Sequence, residues 1–492
     1  MNYQIWISII IYMVFMLLIG YWSYKRTQNL SDYMLGGRKL GPAVTALSAG
    51  ASDMSGWMLM GLPGAMYATG LSSMWIAVGL VIGAYLNYIF LAPRLRTYTE
   101  VANNSITIPD YLENRFHDKT KLIRFVSAII IFIFFTLYAS AGLVSGGRLF
   151  ESAFGLNYKI GLLLTAGIVV MYTLFGGFLA VSWTDFFQGI IMFIALILVP
   201  IVAFTSVGDA TTVVNEIKSV DPLLLDAFQG TTIIGIISFL AWGLGYFGQP
   251  HIIVRFMAIN DVKELKAARR IGISWMAIGV FGAMLTGLIG VAYYHQNNMT
   301  IDDPETIFIM FANLLFHPYI TGFLYAAILA AIMSTISSQL LVTSSAMTQD
   351  FYRTFLKRDA RDRELVFVGR VSVLIVAIIA IFLSLNPNDT ILGLVGYAWA
   401  GFGSAFGPAI LLSLYWKQMT KWGAFAGMIV GAVTVLIWSN VPVLKDFMYE
   451  MIPGFTLSLI TIILVSLLTK PKKTETTRKL HATFDEVEKS MK

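Results

Sequence analysis

Three short stretches hold side chains whose types and spacing could do chemistry. The first is "GASDMSGWMLMGLPGA", residues 50 to 65, an apolar run with a carboxylate, Asp53, set among Gly50, Ser52, Ser55 and Gly56. A charge at membrane depth costs roughly 3 kcal/mol on insertion scales, so such a residue faces a polar cavity, an ion or a partner. The small residues around it let the helix unwind and turn carbonyls inward, which lipid tolerates only where those oxygens line a cavity or a cation. A hydrogen-bonded structural aspartate in a small-residue helix contact is the competing reading.

The second stretch is "FLAWGLGYFGQPHII", residues 239 to 253, with Gly243, Gly245, Gly248 and Pro250. Proline inside a helix removes a backbone hydrogen bond and kinks the chain, so a second broken helix is expected. Trp242 and Tyr246, four residues apart, are expected on one helical face. Their rings beside exposed backbone suit a small, partly apolar, zwitterionic solute. Tyr138, in "FFTLYASAGLVSGG", reads on its own as packing. The third stretch is "LAAIMSTISSQLLVTSS", residues 329 to 345, where Ala331, Ser334 and Thr335 follow an i, i+3, i+4 stripe. One carbonyl and two hydroxyls then point the same way. Hydroxyls in membrane helices also bond their own backbone or glue helices together. Beside a broken helix, the stripe makes half of a cage of neutral oxygens for a hard cation such as sodium.

The elements that position these residues must be membrane helices. Of 492 residues, 57% are hydrophobic and only 13% charged, with a mean hydropathy of +0.73, too little polar surface for a soluble globule. The first apolar window lacks the features of a cleavable signal and is expected to stay as a helix. With no cysteine, disulfides, thiolate metal sites and a cysteine nucleophile are excluded. His117, His251, His295, His317 and His481 are too scattered for a zinc motif.

Hydropathy and breakers predict an all-α integral membrane protein of about 13 transmembrane helices. They run near 4–22, 43–66, 72–93, 122–147, 159–179, 183–205, 231–254, 272–293, 319–344, 367–385, 391–415, 421–439 and 452–469. All 34 Lys and Arg except Arg148, Lys159, Lys218 and Lys445 then fall on one side, including basic loops read at 255–270 and 353–363. The positive-inside rule makes that side the cytoplasm, with the N-terminus outside and the C-terminus inside. The broken second and seventh helices are five spans apart, which fits two five-helix repeats. The organisation expected is an extra helix and cytoplasmic loop (1–42), a first repeat (43–205), an external loop (206–230), a second repeat (231–415), two C-terminal helices (416–469) and a cytoplasmic tail (470–492). The lysine-rich tail suits anchoring to anionic lipid or a regulatory contact.

The three stretches, with "GGFLAVSWTDFFQG" at 176–189, resemble the sodium/solute symporter family, and "SAGASDMSGWMLMGLPGA" and "AWGLGYFGQPHI" resemble its sodium/proline branch. The resemblance covers nearly the whole chain and no motif departs from it. It implies a leucine-transporter-like core of two inverted five-helix repeats, with helices two and seven broken. It also implies a sodium site formed by the carbonyls of Ala51, Met54 and Ala331 and the hydroxyls of Ser334 and Thr335. Asp53 and Ser55 match positions for sodium coupling. Ser55, Gly56, Trp57, Tyr138, Trp242, Tyr246 and Pro250 match positions for proline, and Arg38 and Asp185 match structural or gating positions. The implied activity is import of L-proline with Na+ across the cytoplasmic membrane, without catalysis, nucleic acid or an obligatory protein partner. The alternatives are another small amino acid or a carboxylate, or coupling to protons. Neither the charged ring of a channel nor the catalytic pair of an enzyme is visible.

Overall fold

Long apolar runs in lipid must satisfy their own backbone, and helices do so within one segment. The computed structural model describes residues 2–25, 30–175, 177–470 and 475–490. Arg26 of the basic loops, Gly176 of the 176–189 motif and positions 471–474 of the tail lie outside the described residues. Those described form helices and connections, with one isolated bridge between Leu40 and Ile259.

In chain order the spans are α1 (Tyr3–Tyr24), α2a (Pro42–Asp53) and α2b (Leu62–Thr69), α3a (Met74–Leu86) and α3b (Ala92–Val101), α4 (Leu122–Phe154), α5 (Tyr158–Phe175) and α6 (Phe178–Val207). After a connecting helix, Ala210–Val220, come α7a (Ile233–Leu240) and α7b (Pro250–Ala258), α8 (Leu265–Gln296), α9 (Pro318–Ser345), α10 (Asp362–Ser384), α11 (Ile391–Tyr415), α12 (Lys421–Asn440) and α13 (Met451–Leu468). Many starts carry a side-chain cap. Thr232, Thr390 and Thr420 each accept the amide three residues on, which satisfies one orphan donor of a first turn.

By length and apolar composition ten helices among the described residues could cross a membrane, or eleven with the bent pair Ile233–Gly248 and Pro250–Ala258 taken as one span. One of the ten, Trp57–Val101, would make a rod of about 67 Å, over twice the ~30 Å hydrocarbon core. It is two spans, because Gly70 at φ 65° and ψ −149° ends the first. With the shorter apolar α5, each of the thirteen expected runs is occupied by helix.

Packing around the breaks depends on glycine. A Cβ at Gly83 of α3a would sit inside the backbone of Gly243 in the seventh span, and one at Gly243 inside that of Gly79. Gly79 and Gly83 are four residues apart, the small-xxx-small spacing that lets membrane helices touch backbone to backbone. Against Gly64 of α2b, Glu305 accepts the amides of Ile391 and Leu392 at 2.8 and 3.2 Å. It thus places a carboxylate on the positive end of α11, and Arg148 of α4 pairs with it. Burial pushes the Glu305 carboxyl up from its usual range, against the pull of those amides and of Arg148.

The tail, expected to anchor on anionic lipid or to make a regulatory contact, forms α14 (Glu475–Ser490) and packs on the protein. Phe484 and Val487 are buried, the Phe484 ring is 6.3 Å from that of Tyr98, and Asp485 pairs with Lys417 at 2.6 Å. Its apolar residues share one helical face, which finds a protein surface.

The glycine contact predicts that Gly83→Ala overpacks the α3a crossing and costs about 1–3 kcal/mol. A thermal melt of the detergent-solubilised protein would show a lowered midpoint, and an unchanged midpoint would refute the close approach.

Candidate functional site

The helical ladder of α2a is rewired where Met54 leaves helical geometry, at φ −78° and ψ 75°. In an intact helix the Ser55 amide would donate to the Ala51 carbonyl. Here it donates to the Asp53 carbonyl at 2.9 Å, and the Met58 amide donates to Ser55 at 3.1 Å. The Trp57 indole N–H reaches back to the Asp53 carbonyl at 3.0 Å and stitches the turn. Ala51's carbonyl, released from the helix, instead accepts the hydroxyls of Ser334 at 2.7 Å and Thr335 at 3.4 Å. Ser334 also lies 3.1 Å from the Ala331 carbonyl. The break of α2 and the middle of α9 are therefore joined through peptide oxygens and two hydroxyls, all buried.

That donor set is neutral oxygen, the kind that holds a monovalent hard cation at an unwound helix. Hydroxyls are rotors, and the lone pairs of Ser334 and Thr335 are available to a cation when their protons turn away from Ala51. Among the described residues, no three His, Cys, Asp or Glu side chains converge as a metal cluster. Met54 forms the break itself, beside this set.

Asp53 is 2% exposed. One of its oxygens accepts the Tyr246 hydroxyl and the other has no partner, so a side-chain bond ties the break in α2 to the break in the seventh span. There, Ala241–Gly248 is wound as a tight 3-10 stretch, Gln249 is extended at φ −86° and ψ 103°, and α7b leaves at a 46° bend. Pro250 was expected inside a kinked helix. It stands instead at the first position of α7b, where a missing N–H costs nothing, and the break lies one residue earlier.

The 3-10 winding also corrects the expected shared face of Trp242 and Tyr246. At three residues per turn, positions four apart point about 120° from each other. Trp242 stacks on Tyr449, with centroids 5.3 Å apart and planes at 16°, while Tyr246 turns to Asp53. Trp399 of α11 holds both: its indole donates to the Trp242 carbonyl at 2.8 Å, and its ring meets Tyr246 edge-on at 5.0 Å. Gly245 leaves the room for that indole. The remaining expected residues gather from α4 and the α2 turn. The Tyr138 hydroxyl is buried with no hydrogen-bond partner and its ring is 5.8 Å from that of His251. Ser55 receives the Trp57 amide at 3.5 Å, and a Cβ on Gly56 would collide with Ser145 of α4.

Asp185 and Arg38 lie apart from this cluster, closer to the basic face. Asp185 is fully buried and one oxygen accepts Ser48 at 2.9 Å, Arg255 at 3.2 Å and Ser338 at 3.4 Å. Arg255, counted above among cytoplasmic loop cations, is fully buried in α7b. It also donates to Ser48 at 3.1 Å, to Ser338 at 2.6 Å and to the His251 carbonyl. A position near a span end cannot reveal a charge that turns inward. Arg38 donates to the Met257 carbonyl at 2.6 Å, the Ser105 carbonyl at 2.7 Å and Asn104 at 3.0 Å. Burial, with Arg96 nearby, pushes its pKa down to about 10. Beside it the Asn260 amide donates to Leu40 at 2.9 Å and Arg96 donates to the Ile259 carbonyl at 2.9 Å. The segment before α2a is thus zipped to the segment after α7b.

The two faces of the site differ. On the face of Asp389 and Lys445, a vestibule of about 730 Å³ reaches Trp242, Gly396 and Tyr449. On the basic face, the zipped segments close the way. Sequence reasoning missed Trp399, Tyr449, Arg255, Ser48 and Ser338. Trp399 carried the one usable signal, a tryptophan inside the glycine-rich apolar run "GYAWAGFGSAFG".

Residues 33–431 match the family model of the sodium:solute symporter family. The chain is 67% identical over 471 residues to the osmoregulated proline transporter OpuE of Bacillus subtilis (strain 168), covering 96% of each. It is 57% identical over 479 residues to sodium/proline symporter 2 of Staphylococcus saprophyticus, covering 95% of this chain and 94% of that one. Among solved structures, the substrate-bound outward-open state of a Na+-coupled sialic acid symporter matches with a TM-score of 0.79 at 20% identity, over 96% of this chain and 99% of that one. The last likeness is one of fold.

The Asp185 cluster predicts a large penalty when one partner goes. Arg255→Met leaves a buried carboxylate uncompensated and is expected to cost about 3–5 kcal/mol, while removing both charges together recovers much of it. Thermal melts of Arg255→Met and of the Arg255→Met, Asp185→Leu pair check this; a pair no more stable than the single variant refutes it.

Proposed function

The chain belongs to the sodium:solute symporter family, and on that premise we propose that it is a sodium-coupled symporter that imports L-proline by alternating access. The observation that carries the reading is the Ala51 carbonyl, taken out of its helix and held by Ser334 and Thr335 of α9. The identities to a proline transporter and to a sodium/proline symporter support the same solute and ion.

Sodium is a transported substrate here, taken by the carbonyls of Ala51, Met54 and Ala331 and the hydroxyls of Ser334 and Thr335. Its binding ties α2 to α9 and orders the turn that ends in Ser55, Gly56 and Trp57. Asp53 transmits that order to Tyr246, and so to the seventh span, which is how ion binding raises affinity for proline. The coupling is reciprocal because both ligands act on one equilibrium. Trp242, Tyr246 and Tyr138 offer rings to the pyrrolidine, beside the bend at Pro250. Arg38 and Asp185 act as gating supports: they lock the basic face while the vestibule is open. Each sodium entering a negative interior yields about 2.3 kcal/mol per 100 mV, and no bond is made or broken.

The two inverted five-helix repeats are assigned to 43–205 and 231–415, supported by breaks five spans apart. The basic loops support a cytoplasmic tail and an external N-terminus in the cell membrane.

Proteoliposomes holding the purified protein are expected to accumulate labelled L-proline only when an inward sodium gradient is imposed. Accumulation driven equally by a proton gradient, or none with proline, would overturn the reading. Asp53→Asn and Thr335→Ala are expected to raise the sodium concentration for half-maximal uptake about tenfold or more, and Trp242→Ala to raise the proline KM with less effect on sodium. Unshifted curves in all three would remove the site. Because the chain has no cysteine, a single Ser490→Cys reports orientation: labelling by an impermeant maleimide is expected only after the cell membrane is opened, and labelling of intact cells would reverse it.

A further inference from the structure

Against Tyr246 lies a narrow cavity of about 30 Å³, room for about one water. Its lining is mostly aliphatic and aromatic, including Tyr88, Ile252, Phe256 and Met276, and two polar side chains interrupt it. One is Asp53, with an oxygen left over after its bond to Tyr246. The other is Asn87, only 1% exposed, whose amide nitrogen and oxygen are both without a hydrogen-bond partner. A buried carboxamide with neither group paired is costly, and a stretch selected only for packing would carry an apolar residue there.

The local backbone points the same way. Asn87 opens a five-residue π turn, Asn87–Leu91, between α3a and α3b, and such single-turn bulges recur at functional sites because they re-aim a side chain. The cavity has a roof and a floor. Its roof is the Tyr246 to Asp53 bond. Its floor is the Tyr88 ring against Phe256, with centroids 4.7 Å apart, and three residues on from Phe256 the chain is bridged at Ile259 to Leu40. The vestibule that reaches Trp242 shares no lining residue with this cavity. A solute held beside Tyr246 therefore meets this cavity next on its way to the basic face.

We propose that the cavity is the first compartment of the exit path and that Asn87 is its receiving residue. At 30 Å³ it is too small for an amino acid, so it fills only after Tyr246 releases Asp53 and α7b swings. The Asn87 carboxamide then offers both halves of what a zwitterion needs: its oxygen accepts from the protonated amine and its N–H donates to the carboxylate. Asn87 is thus a positioning residue that acts after binding, during release. This rests on the symport reading above.

The test separates binding from turnover in the full-length protein. Labelled L-proline binding with sodium is measured in detergent, and the maximal uptake rate in proteoliposomes, for the parent, Asn87→Leu and Asn87→Ser. Asn87→Leu keeps the volume and loses the hydrogen bonds. It is expected to bind proline within about twofold of the parent while its maximal rate falls about tenfold or more, with Asn87→Ser recovering most of the rate. A rate within about twofold of the parent, or binding that falls by the same factor as the rate, overturns the proposal. If Asn87→Leu does not fold, Asn87→Ala is held to the same criteria. A parent that neither binds nor transports proline sinks the symport reading and this inference with it, whereas a working parent with an indifferent Asn87→Leu sinks this inference alone.

Discussion

Lipid offers a peptide group no hydrogen bond, so every carbonyl that leaves a helical ladder must be taken up by something else in the protein. The site follows from that constraint. Once Met54 turns out of helical geometry, Ala51's oxygen needs donors, and Ser334 and Thr335 of α9 supply them. The released oxygen is also what a cation can use. One interruption thereby gathers neutral oxygens in one buried place and ties together two helices far apart in sequence.

Buried charge extends the same logic. Asp53 and Asp185 are both inside the bundle, each with one oxygen unpartnered, yet they are held differently. Asp185 has a guanidinium, Arg255, which with two serines makes a closed cluster between α2a, α6, α7b and α9. Asp53 has only a phenol, and a hydroxyl bond is easier to give up than an ion pair. The strong pair suits a permanent support and the weaker bond suits a moving part. That division matches the direction in which the protein is open: a vestibule on the face of Asp389, and on the basic face a seal built from Arg38, Arg96 and the paired Leu40 and Ile259 segments.

Glycine sets the distances at which this works. The tight turn of the seventh span presses against α3a through Gly79, Gly83 and Gly243, and against Trp399 through Gly245. Those approaches bring Trp242 and Tyr246 within reach of residues on three other helices. Without side chains in the way, a short 3-10 turn sets one ring on Tyr449 and the other ring's hydroxyl on Asp53.

Much of this was legible in the residues themselves. Apolar length marked the thirteen helical runs, because crossing lipid imposes a length. Asp53 with its small neighbours, and the glycines before Pro250, marked both interruptions, because backbone instability is a local property. The pattern Ala331, Ser334, Thr335 marked a polar stripe for the same reason. Only the tertiary structure decided what those features meet. It placed Arg255 on Asp185 instead of in a loop, turned Trp242 and Tyr246 to different sides, folded the tail onto the protein, and added Trp399, Tyr449 and Asn87 to the surroundings of the site. Periodicity reports which residues share a face of one helix, whereas the partner of that face is chosen by packing among helices distant in the chain, and one sequence carries no coordinate for it.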